Sequence, residues 1–507
     1  MKTLRLLILI GILAALPLVF SPACCAEELP PEMQELDGKR FGVQTGSTFD
    51  RDVLTWFPHA EIVYYNSLPD LAVALETGKI DAFPSDGIAL EMMRQEGTEL
   101  TILEPAMDEY SCGVVFAKTP EGGKLRDQMD AWMDAAREKG LMDEMLDKWL
   151  HAAEEDKTMP DPQDLSAENG VLVFATEAGF PPFDYMRSGE VVGFEVEMAI
   201  LFCREFGYGI EIIPMNFDGI LPAIQSGKVD FSASGFAITP ERMESINFSQ
   251  PYYTGGTRIV VRSTESGGEA SFFERILESI EKNFIREDRW KLFVKGIENT
   301  LIITGFSVLF GTMLGFGIFM LCRKGNPVAN TVTNVALRLV QGMPMVVLLM
   351  ILYYVIFGHV SVSGIVISIV GFTLTFGSGI YGLLKIGVDA VDRGQYEAAY
   401  SLGHTERGTF FRFILPQALP HILPACKGEI VSLLKATAIV GYIAVQDLTK
   451  MSDIVRSRTY EPFFPLIAVA LIYFVLEDLF NVLISFLERK LDPKRRTEAE
   501  ILKGVEK

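Results

Sequence analysis

Beyond residue 296 the chain carries five apolar segments, at about 297–321, 339–358, 362–384, 424–445 and 464–487. Each is close to the roughly 20 residues that a helix needs to cross a bilayer. In hydrocarbon every backbone N–H and C=O must bond within the protein, so this half is restricted to a bundle of helices. Residues 27–290 have instead the mixed composition of soluble domains and supply most of the net charge of −21. A chain of 507 residues exceeds one core and predicts two to four domains. The acidic balance argues against nucleic-acid binding, which needs a basic face.

The first 26 residues, MKTLRLLILIGILAALPLVFSPACCA, place early cations before an apolar run and end on mostly small residues. That is the pattern of a secretory signal peptide, with Cys24 and Ala26 at the −3 and −1 positions; an uncleaved anchor is the alternative. Pro22 disfavours a lipid-anchored Cys24. Either reading exports residues 27–290. Cys112 and Cys203 are the cysteines of that part, and spacing leaves open whether they pair. No zinc-ligand spacing occurs.

With that half outside, the C-terminus falls inside, and the cations agree in part. Arg323, Lys324 and Arg338 follow the first span, Lys385, Arg393, Arg407 and Arg412 surround the loop after the third, and Arg489 to Arg496 follow the fifth. Lys450, Arg456 and Arg458, in the second outer loop, are exceptions. Before the first span, residues 271–295 carry apolar side chains at helical spacing. They fit a helix in the outer membrane interface or one packed on the exported part. Glu477 and Asp478, inside the fifth span, point to a pore-facing or interfacial position.

The exported half divides at the polar, proline-bearing linker 154–170. On each side short β runs alternate with helical patterns, which predicts open α/β lobes. Residues 171–262 contain FATEAGFPPFDY, GFEVEMA and FDGILPAIQSGKVDFSASGFAITPERMESINFSQPYY; this text resembles the first lobe of the polar amino-acid binding proteins of ABC importers. Residues 36–150 contain LDGKRFGVQTGSTFD, LETGKIDAFPSDG, YSCGVVFAK and KGLMDEMLDKWL, and resemble the second lobe with its closing helix. The segments are complementary and in reversed order. They predict a circularly permuted two-lobe α/β clamshell of the periplasmic-binding-protein type; two unpaired half-domains are the rival.

The resemblance implies a ligand site. Arg242 matches the family's carboxylate-binding arginine, able to give two parallel hydrogen bonds, and Asp86 its acceptor for an α-ammonium. Ser47, Thr48, Ser234, Gly235 and Thr239 fall where the family offers hydroxyls and N–H groups. Phe180 matches a stacking aromatic, and Glu177 a contact to the ligand side chain. Ala237 departs from the family's Thr or Ser.

Residues 296–490 resemble the permease unit of the same importers, an all-α five-helix transmembrane domain followed by a tail at 491–507. GQYEAAYSLGHTERGTFFRFILPQALP (394–420) resembles the EAA loop, which in that family docks on a cytoplasmic ATPase. Glu397, Ala398, Ala399, Gly403, Arg412, Leu415 and Pro416 carry that match. Gln341 and Ala436 depart from the family's polar text. The chain has no G-x-x-x-x-G-K-[ST] phosphate loop, which excludes ATP hydrolysis through that motif. The expectation is a receptor–permease fusion in a bacterial inner membrane, without catalytic residues, metal or cofactor of its own. ATP would be used by a partner ATPase, and the permease would pair as a homodimer or heterodimer. A ligand-gated channel or signalling receptor is the alternative, and it lacks a TVGYG-type filter. An enzyme is a further rival, and no acid/base pair beyond the ligand-binding groups supports it.

Overall fold

A computed structural model describes residues 30–95, 100–262 and 272–491, apart from 324, 326, 359, 361, 460 and 462. The expected export signal at 1–26, the Ser- and Gly-bearing linker expected at 263–269 and residues 492–507 of the expected tail lie outside the described residues.

The N-terminal half contains β1 (Arg40–Gln44), β2 (Glu61–Tyr65), β3 (Ala82–Asp86), β4 (Leu100–Leu103), β5 (Glu109–Ala117), β6 (Val171–Thr176), β7 (Gly179–Phe180), β8 (Asp184–Arg187), β9 (Glu190–Val192), β10 (Gly209–Pro214), β11 (Phe231–Ser232) and β12 (Ile246–Arg262). One sheet runs in the order β10-β6-β11-β5-β12-β3-β1-β2, with β4 also on β12. β12 makes the two segments one body. Its first part, Ile246 to Gly256, pairs antiparallel with β5, and Thr257 to Arg262 pair with β3 and β4. The chain therefore passes between lobes inside β12 and again between β4 and β5. Pro84 has no N–H for a ladder, and β1 meets β3 only at Phe41↔Ala82.

The cores follow space rather than sequence order. The helices Pro120–Glu138 and Leu141–His151 bury Trp132, Met133, Met145 and Trp149 against Phe174, Phe183, Phe202 and Phe231 of the later segment. The Trp149 Nε1–H donates to Glu197 Oε2 at 2.6 Å, and Lys148 Nζ to Glu197 Oε1 at 2.7 Å. The second lobe closes over Leu71, Leu75, Phe83, Leu90 and Met93 of the earlier segment with Val260 of the later one. Each core draws on both segments, so the clamshell is permuted and whole, and the half-domain rival fails. Cys112 and Cys203 are separate buried thiols.

The membrane half has long helices at Trp290–Cys322, Gly364–Asp389 and Phe464–Leu491. Two bent pairs, Asn330–Gly342 with Met345–Ile356 and Glu406–Ile443 with Leu448–Thr459, bring the possible spans to five. The bend of 106° in the first pair falls on the Gly342-Met343-Pro344 text, where Pro344 caps the second piece. The first and third spans approach closely because small residues face each other. A Cβ at Gly315 would lie 2.5 Å from the Gly377 carbonyl oxygen.

The segment before the first span is helical over Phe272–Ile280 and turns through 281–288. Asn283 is buried, donates to Glu461 Oε2 at 2.5 Å and accepts from the Thr459 hydroxyl at 2.9 Å. Phe284 stacks on Phe293 with centroids 4.7 Å apart. These partners of Asn283 and Phe284 lie in the membrane half, and Leu277 and Ile285 stay exposed.

Trp149→Ala should cost the clamshell about 3 kcal/mol or more, since it deletes a buried indole and strands the Glu197 acceptor. A lowered unfolding midpoint of the full chain in detergent checks this; an unchanged midpoint would mean the closing helix does not carry the core.

Candidate ligand site between the lobes

A narrow slot of about 50 Å³ separates the lobes. Its walls include Ser47, Thr48, Glu177, Phe180, Ser234, Gly235 and Arg242 from the sequence expectation. Gln44, Phe49, Tyr110, Phe217 and Ala237 complete it. Three contacts cross the slot. Arg242 Nη2 donates to the Gly46 carbonyl at 2.7 Å, Gln44 Nε2 to Glu177 Oε1 at 2.9 Å, and Arg51 Nη1 to Glu241 Oε2 at 3.2 Å.

Arg242 is aimed by its local turn. Pro240–Met243 is a single helical turn whose cap, Thr239, accepts the Arg242 N–H at 3.2 Å. Arg242 Nη1 then reaches the Ala237 carbonyl at 3.0 Å, and the guanidinium lies over the Phe236 ring at 5.6 Å. Thr48 stands at the N-cap of Phe49–Trp56 without a side-chain capping bond, whereas the Ser47 hydroxyl donates to the Gln44 carbonyl at 2.7 Å. Phe180 stacks on Phe183 with centroids 5.5 Å apart.

Two expected residues are placed off the slot wall. Thr239 is buried as the cap just described. Asp86 is buried behind Tyr110, accepting from the Tyr110 hydroxyl at 2.7 Å, the Tyr253 hydroxyl at 3.2 Å and the Ile88 N–H at 2.8 Å. Burial raises its pKa against the lowering effect of those bonds. The expected backbone donor at Gly235 is also engaged, giving its N–H to Glu195 Oε1 at 3.0 Å.

Sequence reasoning missed the carboxylates behind the slot. Asp184 is fully buried, accepting from the Ser234 hydroxyl at 2.5 Å, the Phe180 N–H at 3.1 Å and the Thr176 hydroxyl. Burial pushes it up to about 6. Glu195 is buried beside it, hydrogen-bonded to Tyr252, and is raised well above the carboxylate range by burial and by Asp184. Both lie inside quoted motifs, FPPFDY and GFEVEMA, but on strand and helix positions that read as core. Glu177 is raised to about 8 by burial first and by Asp184 second. One guanidinium, Arg242, and one carboxyl group, Glu177, thus line a single aromatic slot, which suits a small molecule bearing both an anionic and a cationic or hydrogen-bonding group.

Two protein-family profiles match the chain. "Bacterial extracellular solute-binding proteins, family 3" covers residues 172–343, and "Binding-protein-dependent transport system inner membrane component" covers 307–496. The first match starts at the later lobe, leaves 30–151 outside and runs on into the membrane half. A putative glutamine transport system permease protein of Rickettsia bellii is 31% identical over 204 residues, 38% of this chain and 92% of the relative. The L-cystine transport system permease protein of Bacillus subtilis is 28% identical over 218 residues, 42% of this chain and 92% of the relative. A solved chain described as an amino acid ABC transporter with histidines is 29% identical, covering 44% of this chain and all of its own, with a TM-score of 0.38.

The raised Glu177 sets a pH dependence. Below its ordinary value of 4.5 it is protonated folded or unfolded. Between there and about 8 the unfolded chain releases the proton while the folded chain keeps it, so stability falls as pH rises. Glu177→Gln should flatten the decline of the clamshell's unfolding midpoint between pH 5 and 8, relative to the parent chain. Parallel curves would refute the assignment.

Proposed function

This chain belongs to the family of binding-protein-dependent transport system inner membrane components, as an amino-acid permease fused to a solute-binding domain, and we propose that its clamshell captures a polar amino acid outside the membrane and delivers it to its own transmembrane half. The observation that carries this reading is the interlobe slot, which Arg242 and Glu177 line together with Phe49, Phe180 and Phe217. The guanidinium takes the ligand's α-carboxylate through two parallel N–H bonds, replacing the Gly46 carbonyl. The Thr48 hydroxyl and the start of the Phe49–Trp56 helix add donors. Glu177 takes a cationic or hydrogen-bonding group, and Phe180 stacks on the side chain. Asp86 acts through Tyr110, whose hydroxyl it holds at 2.7 Å. Glutamine, which the Rickettsia relative is named for, fits this donor and acceptor set.

The distal end of the membrane half supports the coupling role. Arg393–Ser401 and Glu406–Thr409 are two short helices hinged at Gly403, whose φ of +81° is strained for any residue with a Cβ. Tyr400, Leu402 and Phe411 are exposed there, while Ala399, Phe410 and Ile414 anchor the loop from below. Arg323 lies over the Phe410 ring at 4.2 Å. Glu397, Ala398, Arg412 and Pro416 are exposed on the same stretch, and Leu415 is half-buried. We read this as the seat of a separate ATPase subunit, with two permease subunits over two ATPases. Closure of the ATPases moves the loop and reorients the pore as a rigid-body switch.

Calorimetric titration of the full chain with the L-amino acids should find a ligand, and Arg242→Ala should weaken it about thirtyfold or more, the cost of unpairing a buried carboxylate. Retained affinity would remove the carboxylate assignment. For the coupling loop, Leu402→Asp should abolish co-purification of the ATPase while leaving amino-acid binding intact; undiminished co-purification would place the ATPase elsewhere.

A further inference from the structure

A second cavity, of about 270 Å³, lies directly beside the ligand slot. Asp70 walls it from the second lobe, Asn216 from the first, and the helix Leu448–Thr459 from the membrane half. Glu177 lines this cavity and the slot alike. The Gln44–Glu177 hydrogen bond of 2.9 Å therefore stands at the partition between them.

The cavity is lined by charge where a seal would be apolar. Lys450 is 8% exposed, and among the described residues its side chain bonds only the neutral Asn216 amide oxygen, at 2.6 Å. Arg456 is also 8% exposed; its two terminal nitrogens meet Asp70 and Asp453, and its Nε has no acceptor among the described residues. Asp447 is fully buried and caps the helix, accepting the Thr449 N–H at 2.9 Å. Burying such groups costs several kcal/mol each unless something polar is paired with them. A cavity needs only about 10–15 Å³ to hold a water, so this one has room for a solute. The Lys450 ammonium, bonded to a neutral amide, and the Arg456 Nε, without an acceptor among the described residues, share the cavity wall with Asp453 and Glu177; cations and carboxyl groups side by side are the complement of a zwitterion.

We propose that this cavity is a transfer subsite, which takes the amino acid from the slot before it enters the pore, with its carboxylate on Lys450 and its ammonium between Glu177 and Asp453. The proposal rests on the capture reading above and adds a second site to it. Glu177 serves both sites: parting of the lobes breaks its bond to Gln44 and admits water, so that the group, kept protonated by burial in the closed slot, ionises and passes the ammonium across.

The test uses the full chain with its co-purified ATPase in proteoliposomes, and a ¹⁴C-labelled mixture of L-amino acids as probe. Thr449→Cys places a thiol on the cavity wall, and its rate of modification by 2-aminoethyl methanethiosulfonate is read above the background of the parent chain. Saturating amino-acid mixture should slow that modification at least fivefold, and adding Lys450→Met should abolish the protection while label retention by the clamshell stays within threefold. Lys450→Met and Asp453→Asn should each lower ATP-driven uptake at least tenfold. Unprotected Thr449→Cys, or full uptake in both variants, overturns the subsite even where calorimetry has established capture through Arg242. A parent chain that retains no label overturns capture and subsite together, an outcome the Arg242 titration registers on its own.

Discussion

The antiparallel pairing of β5 with β12 is the constraint on which the rest depends. A strand pair of this kind fixes the register of two segments far apart in sequence, and here the earlier segment supplies one strand and the later segment the other. The register shifts around Pro251, a residue that cannot give a ladder hydrogen bond, mark a bulge in the shared strand. Immediately after it, successive residues project to opposite sides. Tyr252 reaches Glu195 of the first lobe and Tyr253 reaches Asp86 of the second. The crossing strand thus holds a buried carboxylate on each side of the hinge. The permutation leaves this arrangement intact because it cuts the chain beyond Arg262, where β12 has already finished its pairing with β4.

How much of this was legible follows from how local each signal is. Arg242, Ser47, Thr48, Phe180 and Glu177 lie in contiguous motifs whose turns and caps aim them, and the lobes bring all of them to one slot. The permuted clamshell was legible for the same reason, since each lobe's text was long and ordered. Asp86 and Thr239 also sit in recognisable text, but their side chains are held by Tyr110 and by the Arg242 N–H. Whether a polar side chain faces a cleft or props a neighbour is decided by partners from elsewhere in the chain. Asp184 and Glu195 were illegible on that account, because their environment is assembled from β6, β8, β12 and the Phe194–Glu205 helix together.

The cations Lys450, Arg456 and Arg458 broke the topology rule in the sequence, and the structure explains them. They lie on a helix beneath the clamshell, each at most 8% exposed. Arg456 meets Asp70 of the second lobe, Lys450 meets Asn216 of the first, and Arg458 lies 3.7 Å from Glu154 of the linker and 3.0 Å from Glu287 ahead of the first span. Tyr185, itself bonded to Glu154, receives the Arg458 guanidinium on its ring at 5.1 Å. The acidity of the N-terminal half is therefore not only a solubility feature. Part of it is complementary to a basic helix that departs from the loop-charge rule.

That complementarity bears on how tightly the receptor must hold its permease. Ion pairs desolvated at an interface roughly break even against apolar isosteres, so they specify an orientation better than they supply affinity. In a chain where the two parts are separate molecules, such an interface would need additional apolar area to persist. Here residues 263–271 join Arg262 to the helix at Phe272, and nine extended residues reach about 30 Å at most. A tether that short keeps the local concentration of clamshell high at any affinity. The docking surface is then free to be polar, with cavities in it, because it has to set the direction of the slot and need not prevent escape. Contacts from one helix to both lobes, through Asp70 and Asn216, further tie the angle between the lobes to the membrane half. Any motion that opens the slot has to rearrange the same charges that line the cavity beside it.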